Sequence, residues 1–311
     1  MNLICISLLA AAMAADSAAS SDNPVLASLL SQGVATRGQA NVKLAAPIMP
    51  DGLDAAGQTK ALTRIAGATP LEHFLQRSSA APIYLKVHTI RGPQGKIFRT
   101  IDLGFVAHGS WTTLVSDKFS ESMFKTRKKQ DEEKGRTVSK LGFLTADEIR
   151  SRDLKPAAKP GREERYFYTT FLLFDLVEVS ATRDAVVTKT SSSIVLAARV
   201  DPRFAHDADY PNQWRSVERD AAAKLVYGKP QPYSGAGFYV KLTRLTQPDD
   251  AIFVEYHSAF LEPEGWFEGQ NVLRSKLPAI AQHEATQFRG KLAKASLDEG
   301  EKPAAGGSNP K

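Results

Sequence analysis

Apolar and polar residues alternate with a period of two along several short segments, most clearly at Ala251–Leu261 near the C-terminus. There, Ile252 and Val254 fall on one side and Glu255 and His257 on the other. Such alternation predicts a half-buried β-strand. The same pattern predicts strands at Pro82–Ile90, Ile97–His108, Tyr166–Val179, Arg183–Lys189, Ser192–Val200, Gln213–Val217, Ala223–Tyr227 and Gly237–Leu245.

A helical pattern takes over after Gly269, where apolar residues recur at intervals of three and four as far as Ala295. Charged residues, among them Lys276 and Arg289, keep largely to the other side. A long apolar stripe on a helix needs a wide apolar surface to cover it, and a curved antiparallel sheet supplies one. Shorter helices are predicted at Val25–Ser31, on both sides of Pro70 within Thr59–Arg77, at Trp111–Phe124, and at Thr145–Arg152, which opens with a capping box.

The predicted elements follow the order hairpin, helices, antiparallel strands, long C-terminal helix. Strands that are segregated from helices in this way predict an α+β fold, with a curved antiparallel sheet gripping the C-terminal helix. We expect a single domain at 59–295 that includes a charged insertion at 125–164. The Ala-rich stretch 15–58 is interpreted as a flexible arm or linker, and 296–311 as a disordered tail.

The first 14 residues carry no charge and contain an apolar run that ends in Ala12-Met13-Ala14, a small-x-small cleavage pattern. This predicts a signal peptide and an extracytoplasmic protein, secreted or periplasmic and thus of bacterial type. Cleavage there removes Cys5, the one cysteine of the chain. The mature protein would then have neither a disulfide nor a catalytic thiol, so burial must supply its stability.

The chain has 311 residues and a net charge of +6, with 40 basic and 34 acidic residues interspersed. Such a mildly basic surface is compatible with transient contact with a membrane surface, and it does not predict a nucleic-acid partner. The oligomeric state is left open.

Motifs of the well-marked enzyme classes are missing from the sequence: no nucleophile elbow, phosphate loop, zinc-binding helix or Cys-x-x-Cys pair occurs. Asp201, His206, Asp207 and Asp209 crowd one loop, and loops rich in carboxylate oxygens can hold calcium. That loop lacks a glycine at the sharp turn, and Asp is a common turn former, so we interpret it as structural. No metal and no cofactor are therefore predicted.

Glu255 and His257 share one face of a predicted strand and are residue types that acid–base catalysis uses. Lys241 and Thr243 fall on the matching face of the neighbouring strand, which favours a polar face open to solvent. We therefore predict no catalytic residue from this pair.

The end of the chain combines a strand (VEYHSAFLEP), a turn at Pro263–Trp266 and a helix containing Leu277-Pro278. This combination resembles the helix-grip fold of the START-like superfamily, which includes polyketide cyclases and lipid-transfer proteins. The resemblance implies a cavity between the sheet and the C-terminal helix. The chain departs from the family pattern in its long charged insertion, and Arg183-Asp184 is the candidate start of the middle strand.

On this resemblance, a hydrophobic small molecule or lipid is the expected partner. Aromatic residues would line the cavity and its mouth, and an arginine would pair with an anionic head group. The candidate ligand-binding residues are Arg183, Arg199, Trp214, Tyr233, Tyr256, Trp266 and Leu277. Three functions stay open: non-catalytic binding, a cyclase or hydrolase that uses the same cavity, and an interaction protein with a filled core.

Overall fold

The computed structural model of the chain describes residues 22–34, 41–92, 96–116, 119, 142–263, 266 and 272–300. The predicted signal peptide, residues 125–141 of the charged insertion, the two middle residues of the predicted Gly-Trp turn and residues 301–311 of the predicted tail lie outside these ranges. Among the described helices, none combines the length and the apolar character needed to cross a membrane.

The strands and helices are numbered in chain order. The strands are β1 (Tyr84–Arg91), β2 (Ile97–His108), β3 (Gly142–Phe143), β4 (Ala158–Lys159), β5 (Arg162–Leu173), β6 (Val177–Lys189), β7 (Ser193–Val200), β8 (Gln213–Arg219), β9 (Leu225–Tyr227), β10 (Gln231–Pro232), β11 (Ala236–Arg244) and β12 (Ala251–Glu262). The α-helices are α1 (Pro24–Ser31), α2 (Ala55–Ala66), α3 (Leu71–Phe74), α4 (Trp111–Leu114), α5 (Ala146–Arg150) and α6 (Val272–Gly300).

All of the paired strands in the main sheet are antiparallel, in the order β1-β2-β12-β11-β7-β6-β5-β3. The opening hairpin β1–β2 therefore lies beside the last strand, β12. The short strand β8 joins the end of β6 and carries β9 and β10. This curved, open sheet and the long C-terminal helix confirm the predicted fold class.

Helix α6 covers one face of the sheet, which we call the helix-facing side. Its apolar stripe is fully buried and consists of Leu273, Leu277, Ala281, Ala285, Phe288 and Leu292. These residues form one continuous core with alternate residues of β2, β6, β7, β11 and β12, such as Val254 and Leu242. The backbone of α6 approaches β2 most closely, so the helix lies over the β1–β2 end of the sheet.

The other face of the sheet is covered as well, by residues 22–34 and 41–75, and we call it the arm-facing side. Val25 and Leu29 of α1 pack against Tyr239 of β11. Met49 and Leu62 pack against β2 and β12. The sequence predicted a loosely attached arm at 15–58, and for its described residues this was wrong, because their apolar side chains are buried on the sheet.

Three local predictions also need correction. The predicted strand Tyr166–Val179 is two strands joined by a tight turn, since Phe174 and Asp175 both adopt positive φ, at 56° and 60°. Helix α6 continues to Gly300, five residues beyond the predicted end. Arg289 was assigned to the solvent side of this helix, yet it is buried and donates hydrogen bonds to the carbonyl oxygens of Val106 and Ala81, each at 2.7 Å.

Candidate functional site

Six of the seven predicted ligand-binding residues belong to the helix-facing side. Tyr233, Tyr256, Trp266 and Leu277 are buried in its core, and Trp214 packs against that core. Arg183 lies on the same side because it alternates along β6 with Ala181 and Ala185, which are core residues. The structure therefore places these six side chains on the same side of the sheet.

Four aromatic rings cluster at one end of this interior, around Trp266. The Trp266 ring stacks on Tyr233 with centroids 5.7 Å apart, and on Phe260 at 6.3 Å. The ring of Trp214 meets it edge-on at 5.9 Å. Aromatic groups packed in this way provide a large apolar surface with a defined shape. We call these four residues the aromatic cluster.

Arg183 places a positive charge beside these aromatic residues. Its guanidinium lies 5.7 Å from the ring centre of Phe167 and donates a hydrogen bond to the Thr169 hydroxyl. Burial raises the pKa of Tyr233, and the charge of Arg183 opposes that rise. A buried arginine within an apolar interior is costly unless its donors are satisfied, so it marks a polar position in an otherwise apolar wall.

Ser258 is a second polar group on the helix-facing side, where it alternates with Tyr256 and Phe260 along β12. Its hydroxyl is buried and has no hydrogen-bond partner among the described residues. In the register of the sheet it lies between Phe238 of β11 and Ile101 of β2. A buried unsatisfied hydroxyl is uncommon in native proteins and is a natural position for a ligand or a water.

Arg199, the seventh predicted residue, lies on the arm-facing side. It pairs across the sheet with Asp184, and its guanidinium contacts the Asp184 carboxylate at 3.4 Å and the Ser28 hydroxyl of α1 at 3.3 Å. Asp184 and Arg183 are neighbours along β6, so their side chains point to opposite faces of the sheet. Arg199, which lies beside Asp184, is therefore on the other side of the sheet from Arg183.

The arm-facing side also contains a buried ionic network that sequence reasoning missed. Glu255 is fully buried, and its carboxylate accepts hydrogen bonds from the backbone N–H groups of Ile48 (2.6 Å) and Met49 (3.2 Å). His257 lies 3.1 Å from the same carboxylate through Nε2, and 2.7 Å from the Asp102 carboxylate through Nδ1. The interpretation of Glu255 and His257 as a solvent face was therefore wrong.

Lys241 extends this network toward the N-terminal segment. Its ammonium is buried and lies 2.8 Å from the Asp51 carboxylate. Tyr239 stacks on the His257 ring at 4.7 Å and donates its hydroxyl hydrogen to the Ala45 carbonyl oxygen, 2.8 Å away. Glu255, Lys241 and Tyr239 are thus all engaged with residues 45–51, which fixes that segment in place. Nothing in the alternating strand pattern indicates what covers each face, so only a long-range contact prediction would have found this network.

His257 gives the network a pH dependence. Burial alone would lower the pKa of His257, but its hydrogen bonds to Asp102 and Glu255 outweigh burial and raise it above the ordinary value. A raised folded-state pKa contributes stability that is fully present below the unfolded value of about 6.5 and is lost as pH rises through the folded value.

We expect the free energy of unfolding to fall across that window in the native protein, and the fall to be smaller in His257→Gln. Urea unfolding from about pH 5.5 to about pH 9 measures both slopes. His88→Gln, at an exposed position on β1, is the control and should keep the native slope. Equal slopes in all three proteins would contradict the assignment.

The carboxylates of the loop that was considered as a calcium site form ion pairs with arginines. Asp207 and Asp209 both accept hydrogen bonds from Arg152, and Arg152 lowers the pKa of Asp207 to about 2. Asp201 accepts hydrogen bonds from Arg203, with a shortest distance of 2.6 Å. These carboxylates therefore hold the loop to α5 and to its own turn.

Comparisons with known proteins add little to this geometry. No family model matches the chain, and no curated protein matches it. Among solved structures, it is similar to human STARD10, with 11% identity, a TM-score of 0.30, and coverage of 86% of this chain and 84% of that one. It is also similar to CalU16 from Micromonospora echinospora, with 10% identity, a TM-score of 0.22, and coverage of 70% and 99%. We base the helix-grip assignment on the strand order and helix packing above, and we infer no function from these two likenesses.

Proposed function

We propose that the protein binds a hydrophobic small molecule or lipid, without covalent chemistry, between the sheet and α6. The observation that carries this proposal is the buried aromatic cluster on the helix-facing side with Arg183 close to it. Ligand sites in proteins are mostly apolar and contain a small number of placed polar groups, and this interior has that composition.

The driving force would be removal of apolar ligand surface from water, worth about 25 cal/mol per Å². Trp266 and Tyr233 offer flat ring surfaces for this contact. Arg183 would then orient the ligand by pairing with a negatively charged head group, because a guanidinium forms directed hydrogen bonds to carboxylates and phosphates. Ser258 would donate or accept a further hydrogen bond from the same interior.

An enzyme in the same interior is the alternative that the sequence left open. An acid–base pair that faces α6 would favour it, and Glu255 with His257 was the strongest pair in the sequence. Both side chains point to the arm-facing side and are occupied by the network around Asp102 and Ile48. The described residues therefore give binding more support than catalysis.

Native mass spectrometry of the gently purified protein should show a co-purifying molecule, which organic extraction would release for identification. We also expect saturable binding of a fluorescent long-chain fatty acid to protein stripped of that molecule. Arg183→Gln should weaken this binding by about tenfold, because a hydrogen-bonded charge pair is lost. The same change should leave binding of the matching methyl ester nearly unaltered, since the ester carries no charge.

Arg199→Gln is a matched control, because it removes an arginine from the adjacent strand on the opposite face. It should bind both probes as the native protein does. Absence of a co-purified molecule together with no saturable probe binding would overturn the proposal. Equal weakening of acid and ester by Arg183→Gln would overturn the role given to this charge.

A further inference from the structure

A pocket with charged residues in its wall lies next to α1 on the arm-facing side. Its volume is about 500 Å³, and it lies between α1 with its following turn and the ends of β6, β7 and β11. This size falls within the range of about 300–1,000 Å³ that is usual for small-molecule sites. Its residues Asp184 and Arg199 point away from the proposed lipid site, because they lie on the arm-facing side of the sheet.

Asp184 and Arg199 are two of the four charged residues in the pocket wall. Their closest oxygen–nitrogen distance is 3.4 Å, and Arg199 reaches the Ser28 hydroxyl at 3.3 Å. Both distances are at the long limit for hydrogen bonds, so neither contact holds the guanidinium strongly. The Arg199 side chain is 47% exposed, and it is therefore accessible from the pocket.

A second ion pair in the same wall, Asp201–Arg203, is held by more and shorter hydrogen bonds. Asp201 receives hydrogen bonds from the Arg203 side chain at 3.0, 3.0 and 2.6 Å, and from the Arg203 backbone N–H at 3.0 Å. Arg203 also donates to the Tyr166 hydroxyl at 2.9 Å. The Asp201 carboxylate therefore already accepts several hydrogen bonds from Arg203. The Asp184–Arg199 pair has only long contacts, so a ligand can replace them with shorter hydrogen bonds.

The remaining wall that the ligand would touch is apolar. This apolar wall comes from Leu29 and Val34 of the N-terminal segment. Leu29 and Val34 are buried, so their positions are fixed by the core beneath them. An adjacent carboxylate and guanidinium, facing an apolar wall, match a molecule that has an ammonium, a carboxylate and an apolar side chain.

We propose that this pocket binds a free amino acid with an apolar side chain. The ammonium group would pair with Asp184, the carboxylate with Arg199 and the Ser28 hydroxyl, and the side chain would lie against Leu29 and Val34. The exchange is favourable because a partly exposed ion pair contributes little, whereas two shorter charge-assisted hydrogen bonds to the ligand contribute more. Burial raises the pKa of Asp184, which Arg199 opposes, and the ammonium of the ligand would add a second charge that favours the ionised carboxylate.

Isothermal titration calorimetry of the full chain with leucine tests this assignment, with the other common amino acids as a panel. We expect saturable binding of leucine or another apolar member. Leucinamide, which lacks the carboxylate, and 4-methylpentanoate, which lacks the ammonium, should each bind about tenfold more weakly or not at all. These two compounds test the two charged contacts separately.

Asp184→Asn and Arg199→Gln should each weaken amino-acid binding by about tenfold or more. Glu178→Gln and Arg215→Gln are the matched controls, because these residues form an ion pair at 2.7 Å elsewhere on the sheet. The controls should bind as the native protein does. The proposal is overturned if no amino acid of the panel binds, if leucinamide and 4-methylpentanoate bind as well as the amino acid does, or if the pocket variants bind as the controls do.

Discussion

Replacing Glu255 by Ala is expected to lower the free energy of unfolding by about 3–5 kcal/mol, the cost of breaking a buried ion pair by removing one partner. The change leaves the backbone N–H groups of Ile48 and Met49 without their acceptor. It also leaves His257 with one carboxylate, Asp102, in place of two. Each loss falls on a buried donor that water does not reach in the folded state.

Urea unfolding monitored by circular dichroism measures this effect. The control is Glu178→Ala, which removes a glutamate from β6 of the same sheet, where the side chain is less deeply buried and pairs with Arg215. We expect the control to lose about 1 kcal/mol or less. A Glu255→Ala protein that is as stable as this control would show that the network does not hold the N-terminal segment.

Hydrogen exchange gives the same experiment a local readout. The amides of residues 44–62 should exchange faster in Glu255→Ala than in the native protein, since Glu255 accepts hydrogen bonds directly from two of them. Amides of α6, on the opposite face of the sheet, should keep their native protection at low denaturant. Uniform loss of protection in both regions would instead indicate global destabilisation.

The strands and the long helix could be predicted because their patterns are local. Alternation located Ile97–His108 with its bounds as observed, and Pro70 separated α2 from α3 as expected. The turn at Phe174–Asp175 was missed because no Gly marks it and apolar residues continue through it. Asp tolerates positive φ better than most residues, so the turn is physically reasonable although the pattern hides it.

Which face each strand presents to which layer could not be predicted from the sequence. Strand β12 is buried on both faces, with Tyr256 toward α6 and His257 toward the N-terminal segment. Polar residues such as Glu255 normally indicate the solvent-exposed face of a strand. Here that face is buried, because residues 48 and 49, about 200 positions earlier in the chain, cover it. For the same reason, Arg199 was assigned to the wrong face of the sheet. Strand β7 is apolar on both sides, so its sequence does not reveal which face meets the helix.

Three of the four members of the aromatic cluster were predicted as ligand-binding residues, but their geometry was not. Trp214 lies in β8, whereas Tyr233 and Trp266 lie in loops. The sequence suggested each as a lining residue because amphipathic aromatic residues suit a cavity mouth. Their mutual stacking depends on β8 joining the end of β6, a pairing that spans a loop. Ser258 was not identified at all, because a single hydroxyl on an apolar strand face gives no distinctive pattern.

Phe288→Ala is expected to reduce the free energy of unfolding by about 3–5 kcal/mol, the usual cost of truncating a buried phenylalanine. The Phe288 ring is buried at the contact of α6 with the sheet, where it meets the ring of Phe105 edge-on at 5.8 Å and that of Phe119 at 6.1 Å. Its removal leaves a cavity that the large neighbouring rings cannot close without moving off their preferred positions.

Lys294→Ala, at an exposed position of the same helix, is the control and should stay within about 0.5 kcal/mol of the native protein. Thermal and urea unfolding of the two variants measure the difference. Because α6 forms one wall of the proposed lipid site, Phe288→Ala should also weaken fatty-acid binding, while leucine binding on the arm-facing side stays unchanged. A Phe288→Ala protein with native stability would mean that α6 does not depend on this contact, and the helix-facing interior would then lack the fixed wall that a ligand site requires.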